Sequence, residues 1–199
     1  MAREALGDNT FDGTCTTSTN HYGVCLYFEP SLHARAVQLS VFLTFEVVAA
    51  FLHRAGFNAV VDYRPGSCNA TQSFFDDFRY LQERLSTLSA PLMIAGDFNI
   101  HVDDATDTHA SKLSHILSCH SLHQHVYSPT HVHGHTLDLL ITRDDQSIAV
   151  FPVDPPLLSD HAFVVDDCSC PVKYSSENRL RLDRIMATSL WSHFLAHPV

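Results

Sequence analysis

The stretch Pro91-Leu92-Met93-Ile94-Ala95-Gly96-Asp97-Phe98-Asn99-Ile100-His101-Val102 decides how the chain is read. Leu92 to Ala95 is a short apolar run of the kind that forms a buried strand. It meets Gly96 and then delivers Asp97, Phe98 and Asn99. Side chains alternate along a strand, so Asp97 and Asn99 are expected on one face and Phe98 on the other. In open α/β sheets, ligands gather beyond the carboxyl ends of the strands. By that analogy, a strand ending in a carboxylate and a carboxamide is poised to hold a metal ion or a phosphate. The plain alternative is a strand running into an ordinary Asp/Asn turn.

Upstream, Phe74, Phe75, Phe78, Leu81, Leu85 and Leu88 recur at three- and four-residue spacings. That spacing predicts an amphipathic helix whose aromatic residues are core, with Thr71 as its N-cap. Downstream, a second helix is expected over Thr108 to Cys119, burying Leu113, Ile116 and Leu117. Strands are expected over 23–28, 45–52, 57–63, 122–126, 136–142, 148–153 and 162–165, with 34–43 apolar but poorly alternating. Strands interleaved with helices mean an α/β fold. Residues 1–20 read as a loose polar leader, 21–168 as the domain, and 169–199 as a linker-like tail with a helix over Leu182 to Leu195.

The formal net charge of −10, from 22 acidic and 12 basic residues, argues against a sequence-blind polyanion binder and suits a cation site. The six cysteines form no Cys-x-x-Cys pair, so a thiolate zinc site is not indicated. The first residues carry no apolar signal-peptide core. The apolar run 41–52 falls short of the ~20 residues a spanning helix needs, and Glu46 interrupts it. An intracellular chain, nuclear or cytoplasmic, with reduced thiols and no membrane segment is the expectation.

Two further constellations carry chemistry. In Gly134-His-Thr-Leu-Asp138-Leu-Leu-Ile-Thr142, Asp138 is a lone acid in an apolar strand. A carboxylate buried there must be paired or hydrogen-bonded, unless it merely caps a loop or faces solvent. In Ser159-Asp160-His161, neighbouring side chains of an extended segment point to opposite faces, so Asp160 and His161 serve different partners. His161 is a partner for Asp138, which would orient its ring and raise its pKa. Asp160 is then free to face a metal.

Taken in order, Tyr63-Arg-Pro, the 91–101 stretch, Pro129-Thr-His with Gly134-His-Thr-Leu-Asp138, and Pro156-Leu-Leu-Ser-Asp160-His161 resemble the endonuclease/exonuclease/phosphatase superfamily. That superfamily includes DNase I and the abasic-site endonucleases. The resemblance runs from about Tyr22 to Val165 and is strongest to the endonuclease domain of LINE-type non-LTR retrotransposons.

It implies the C-terminal part of a two-sheet α/β sandwich, an N-terminally truncated domain, and a DNA endonuclease acting as a phosphodiesterase. It implies Asp97 as the group that orients or deprotonates the attacking water, and Asn99 as the holder of a phosphate oxygen. Asp138 and His161 would be the acid–imidazole pair, and Tyr63 would support the phosphate and Asp97. Asp160, with Asp97, would hold Mg2+ or Mn2+. Oxygen ligands suit such hard ions. DNA would be the substrate, with no membrane and no obligate protein partner.

The family's metal-binding Glu has no convincing counterpart, since Glu4, Glu29 and Glu46 lie in the wrong contexts. The ion would therefore bind weakly, and the alternative is a catalytically inactive remnant. A shortened sandwich would also leave an exposed edge and a bare apolar face. Gly66 stands where the family has Asn, which removes a DNA-contacting side chain. His131, His133 and His135 alternate, which leaves open a zinc or interaction module beside the reading of solvated loop histidines. Asp103, Asp104 and Asp107 lack the glycine and terminal Glu of a calcium loop and read as a solvated turn.

Overall fold

Two largely apolar strands, paired with each other, anchor the sheet. In the computed structural model, residues 12–16, 24–28, 30–146, 149–150, 159–162, 164 and 166–167 are described. β1 (Asp12–Thr16) pairs antiparallel with β2 (Val24–Phe28), and a short 3-10 turn (Pro30–Leu32) follows. After β3 (Ala34–Ala36) come β4 (Glu46–Leu52) and β5 (Phe57–Tyr63), paired antiparallel along their whole length. Gly56 turns the chain between them at φ 72°, a value costly for residues with a Cβ.

The helix α1 (Gln72–Ser86) then crosses over to β6 (Leu92–Asp97), which lies parallel to β5. A parallel pair needs such a crossover. After α2 (Thr108–Cys119), β7 (Leu122–Gln124) and β8 (Asp138–Arg143) complete a six-stranded sheet of order β3-β4-β5-β6-β8-β7. β9 (Ala149–Val150) and β10 (Asp166–Asp167) form a separate antiparallel pair.

Each helix starts where its cap dictates. The Thr71 hydroxyl accepts the Phe74 N–H at 3.3 Å, and the Asp107 carboxylate accepts the His109 N–H at 2.7 Å. The apolar stripes then meet one face of the sheet: Phe74, Phe78 and Leu81 from α1 and Leu113 from α2 pack with Ile94 and Leu139. On the opposite face, Val24, Leu26 and Phe28 of β2 cover Val48, Val61, Met93 and Leu140. Burial of a Leu or Phe side chain is worth about 2 kcal/mol, and both faces of β4 to β6 are occupied in this way.

Several expectations change. Asp12–Thr16, read as structureless, is a strand. The face expected to be bare is covered by β2 at the centre of the sheet, and the sheet's two edges are three-residue strands. β8 begins at Asp138, not at Thr136, because the Thr136 N–H is drawn to Asp103 at 2.8 Å and its hydroxyl to the Ser128 carbonyl at 3.0 Å. Ala162 and Val164 lie outside any strand, since the Ala162 N–H is taken by the Thr130 carbonyl at 2.8 Å. The expected helix over Leu182 to Leu195 lies outside the described residues. Among the described residues no helix is long and apolar enough to cross a membrane.

Candidate active site at the carboxyl end of β6

Strand register brings the polar groups together. Glu46 is paired with Tyr63, Tyr63 with Asp97, and Asp97 with Asp138, so one row runs across four strands. Residues opposite one another in a sheet share a face, and adjacent strands lie about 4.8 Å apart. The row lies on the β2 face, at the carboxyl end of β5 and β6 and the amino end of β8.

β6 stops at Asp97, and the turn that follows fixes it. Asn99 takes a left-handed backbone, φ 49°, as asparagine does most readily after glycine. Its N–H and its Nδ2 donate to the two carboxylate oxygens of Asp97 at 2.9 and 2.7 Å. Asn99 thus reaches Asp97 through a turn, not by continuing the strand. Nδ2 also donates to the Arg64 carbonyl at 2.8 Å, so both of its hydrogens are committed. Here Asn99 orients Asp97, and the expected donation to a phosphate oxygen would require one of these bonds to be given up.

A second buried group holds the turn from below. Arg64 is 6% exposed as a residue, and its guanidinium donates to the carbonyls of Phe98 at 2.6 Å, Cys68 at 2.8 Å and Pro65 at 3.2 Å, and to that of Asn99. Phe98 points to the helix face and meets Phe78 edge-on at 5.6 Å. Gly66 fits against this turn: a Cβ there would lie 2.5 Å from Asn99 Oδ1.

Asp138 is set by Thr130, whose hydroxyl accepts the N–H groups of Leu137 and Asp138 at 2.9 and 3.0 Å. Asp138 Oδ2 in turn accepts Nδ1–H of His161 at 2.8 Å. An isolated antiparallel bridge between His131 and His161 ties the two loops. Asp160 Oδ2 lies 3.5 Å from His131 Nε2, and its carboxylate also comes within 4.8 Å of a His161 ring nitrogen, so Asp160 and His161 are not given wholly separate partners.

Electrostatics follow this geometry. Burial, then the charge of Asp138, push Asp97 up to about 7, against the pull of His161 and the Asn99 hydrogen bonds. Burial disfavours a charged His161, but its hydrogen bond and charge contact with Asp138, with Asp97 and Asp160 beyond, outweigh this and raise it to about 9. Burial, with Asp97 nearby, raises Asp62 well above the usual carboxylate range. Among the described residues Asp62 Oδ1 has no hydrogen-bond partner.

Among the described residues, two groups could hold an ion: Asp97, Asp138 and His161, and His131, Asp160 and His161, each with ligand atoms within 4.8 Å of one another. In the first, the carboxylates of Asp97 and Asp138 are the oxygen donors a hard divalent cation takes, and an ion there would offset the burial and the Asp138 charge that raise Asp97. Asp97 and Asp160, expected at one ion, fall into different groups that share His161. Neither group contains a glutamate.

The loop histidines do not act together. His135 leaves its neighbours to bond Asp103 at 3.2 Å and stack on His101 with ring centroids 4.0 Å apart. Asp104 receives Thr106, and Asp107 caps α2, so the acidic run is a turn and a cap. The roles of Arg64 and Thr130 were missed from sequence; the one available signal was a cation between Tyr63 and Pro65.

The sequence matches the family model described as Endonuclease/Exonuclease/phosphatase family over residues 2–161. The match begins earlier than the resemblance read near Tyr22. Solved structures share the fold. The endonuclease domain of TRAS1, a telomere-specific non-LTR retrotransposon, is 17% identical, covers 76% of this chain and 75% of its own, and gives a TM-score of 0.60. The human Nocturnin catalytic domain is 19% identical, with 78% and 71% covered and a TM-score of 0.54. A mannosyl-6-phosphatase of Bacteroides thetaiotaomicron is 12% identical, with 76% and 74% covered and a TM-score of 0.52. No curated protein sequence matches the chain.

Proposed function

The chain belongs to the Endonuclease/Exonuclease/phosphatase family, and on that premise we propose that it is a metal-dependent phosphodiesterase that nicks DNA, of the kind carried by non-LTR retrotransposons. The observation that supports this best is Asp97, Asp138 and His161 converging at one rim, with the His161–Asp138 bond at 2.8 Å.

Asp97, standing near neutrality, is matched to taking a proton from water at physiological pH. Asn99 holds its carboxylate in line. As the water oxygen forms its bond to phosphorus and the ester P–O bond breaks, the water proton passes to Asp97. His161, kept cationic by Asp138, places its Nε2–H against the negative charge gathering on the phosphate and the leaving oxygen. Tyr63, beside Asp97 in the sheet, supports the same rim. A Mg2+ or Mn2+ ion, held by Asp97 and its neighbours with Asp160 at the margin, would neutralise phosphate charge when bound.

The test is conversion of supercoiled plasmid to open circles with magnesium. Wild type is expected to nick, and Asp97→Ala and His161→Ala to lose about a hundredfold or more. Conversion unaffected by both substitutions would discard this assignment. A second reading is a folded remnant without turnover, since among the described residues neither ion-holding group includes a glutamate. A well-folded wild type that leaves the plasmid intact at every magnesium concentration would select it.

A further inference from the structure

We propose that His131, Asp160 and His161 form a site for a transition-metal ion such as Zn2+, separate from any ion held by Asp97 and Asp138, and that its occupancy withdraws His161 from the reaction. The sequence leaves open a zinc site at His131, His133 and His135 beside the reading of solvated loop histidines. The structure breaks that set, since His135 turns away to Asp103, and gives His131 new partners from a distant segment.

Backbone pairing builds the arrangement. The His131–His161 bridge is reinforced by the Val132 N–H on the Asp160 carbonyl at 2.9 Å and the Ala162 N–H on the Thr130 carbonyl at 2.8 Å. The two imidazoles therefore stand edge to face with centroids 4.9 Å apart, and Asp160 Oδ2 lies 3.5 Å from His131 Nε2. One ligand atom from each of the three residues lies within 4.8 Å of the others.

The donor set, two imidazoles and one carboxylate with a position left for water, is one that zinc accepts and magnesium does not favour. Asp138 already holds Nδ1–H of His161, so the ion must take Nε2 and displace its proton to solvent, which makes binding tighter as pH rises. A carboxylate behind a ligating imidazole fixes its tautomer and strengthens it as a ligand. Coordination by His131 through Nε2 moves its proton to Nδ1 and gives up a contact of 3.3 Å from the His133 N–H. That contact is long for a hydrogen bond and is solvent-exposed, so its loss costs little.

Because Nε2 of His161 is also the atom proposed to meet the phosphate, zinc here blocks cleavage. This inhibitory half rests on the phosphodiesterase reading; the binding half does not. Calorimetric titration of the full chain with zinc chloride, without DNA, tests the binding. One ion per chain is expected, with affinity reduced at least roughly tenfold in His131→Ala and Asp160→Asn and unchanged in His133→Ala. No saturable binding, or equal binding by wild type and His131→Ala, overturns the site.

Should those variants unfold, carbethoxylation of wild type read by peptide mass spectrometry decides: zinc must protect both His131 and His161, and unprotected rings overturn the proposal. In the nicking assay with magnesium, zinc is expected to suppress wild type over the range that fills the site, and His131→Ala to require more. A nicking enzyme that zinc fills without suppressing overturns the inhibitory half. A chain that binds zinc but never nicks overturns the phosphodiesterase reading alone.

Discussion

Asp97 and Asp138 stand opposite one another across the β6–β8 pair, two carboxylates in one row on one sheet face. Like charges so placed destabilise each other, and Asp97, 5% exposed, carries the greater burden of burial. His161 answers by remaining cationic.

Nicking should therefore follow a bell-shaped pH profile. The rising limb lies near pH 7, where Asp97 gives up its proton, and the falling limb near pH 9, where His161 loses its charge. A bound divalent ion would draw the first limb lower. His161→Gln should abolish the alkaline limb along with most of the rate, as initial nicking rates across this range would show.

Stability should depend on pH through the same histidine. Its pKa is higher folded than unfolded, so the folded chain holds the proton more tightly. Its contribution is complete below its ordinary 6.5 and is lost as pH rises to about 9. Asp97 is also raised when folded and adds a decline between 3.8 and about 7. Melting temperatures of His161→Gln should lose the His161 part of the upper slope, while the Asp97 decline, freed from the pull of His161, moves to higher pH; an upper slope equal to that of wild type would count against the Asp138 pairing.

Arg64→Lys should be far from conservative. An ammonium cannot reach the carbonyls of Pro65, Cys68, Phe98 and Asn99 that the planar guanidinium serves together. A loss of about 3 kcal/mol in urea unfolding is expected, with nicking reduced roughly a hundredfold in kcat as the Asp97–Asn99 turn loosens. Retention of both properties would show that the turn holds itself.

Thr130→Val separates hydroxyl from shape. It strips the acceptor from the N–H groups of Leu137 and Asp138 at a fully buried position and should cost about 2–4 kcal/mol in denaturant, whereas Thr130→Ser should recover most of it.

Gly96→Ala should fail to fold stably. The added methyl group would meet the Asp62 backbone oxygen at 2.0 Å, where only main chain could give way. A destabilisation of about 3 kcal/mol or more is expected by circular dichroism melting.

Local chemistry was legible where one signal dominated. The phenylalanine spacing of α1 and its Thr71 cap, the Thr108–Cys119 helix and the apolar runs of β4 and β5 could be read directly, because periodicity and caps act within a few residues. The Asp138–His161 approach was foreseeable from the cost of burying a lone acid. What escaped depends on contacts distant in sequence. β1 is polar, and its pairing with β2 overrides its composition. Arg64 binds carbonyls more than thirty positions away, and carbonyls carry no sequence signature. The fate of His131 was set by a bridge to His161, which no alternation along its own loop could disclose.

The six-stranded sheet is bounded by β3 and β7, each three residues long. A border that short offers an incoming peptide few main-chain groups to zip onto, while the long, sticky strands that could template fibrils are locked inside. Concentrated solutions of the protein should therefore resist amyloid-type growth as long as β3 stays docked on β4, and thioflavin fluorescence should rise only once that border is peeled away.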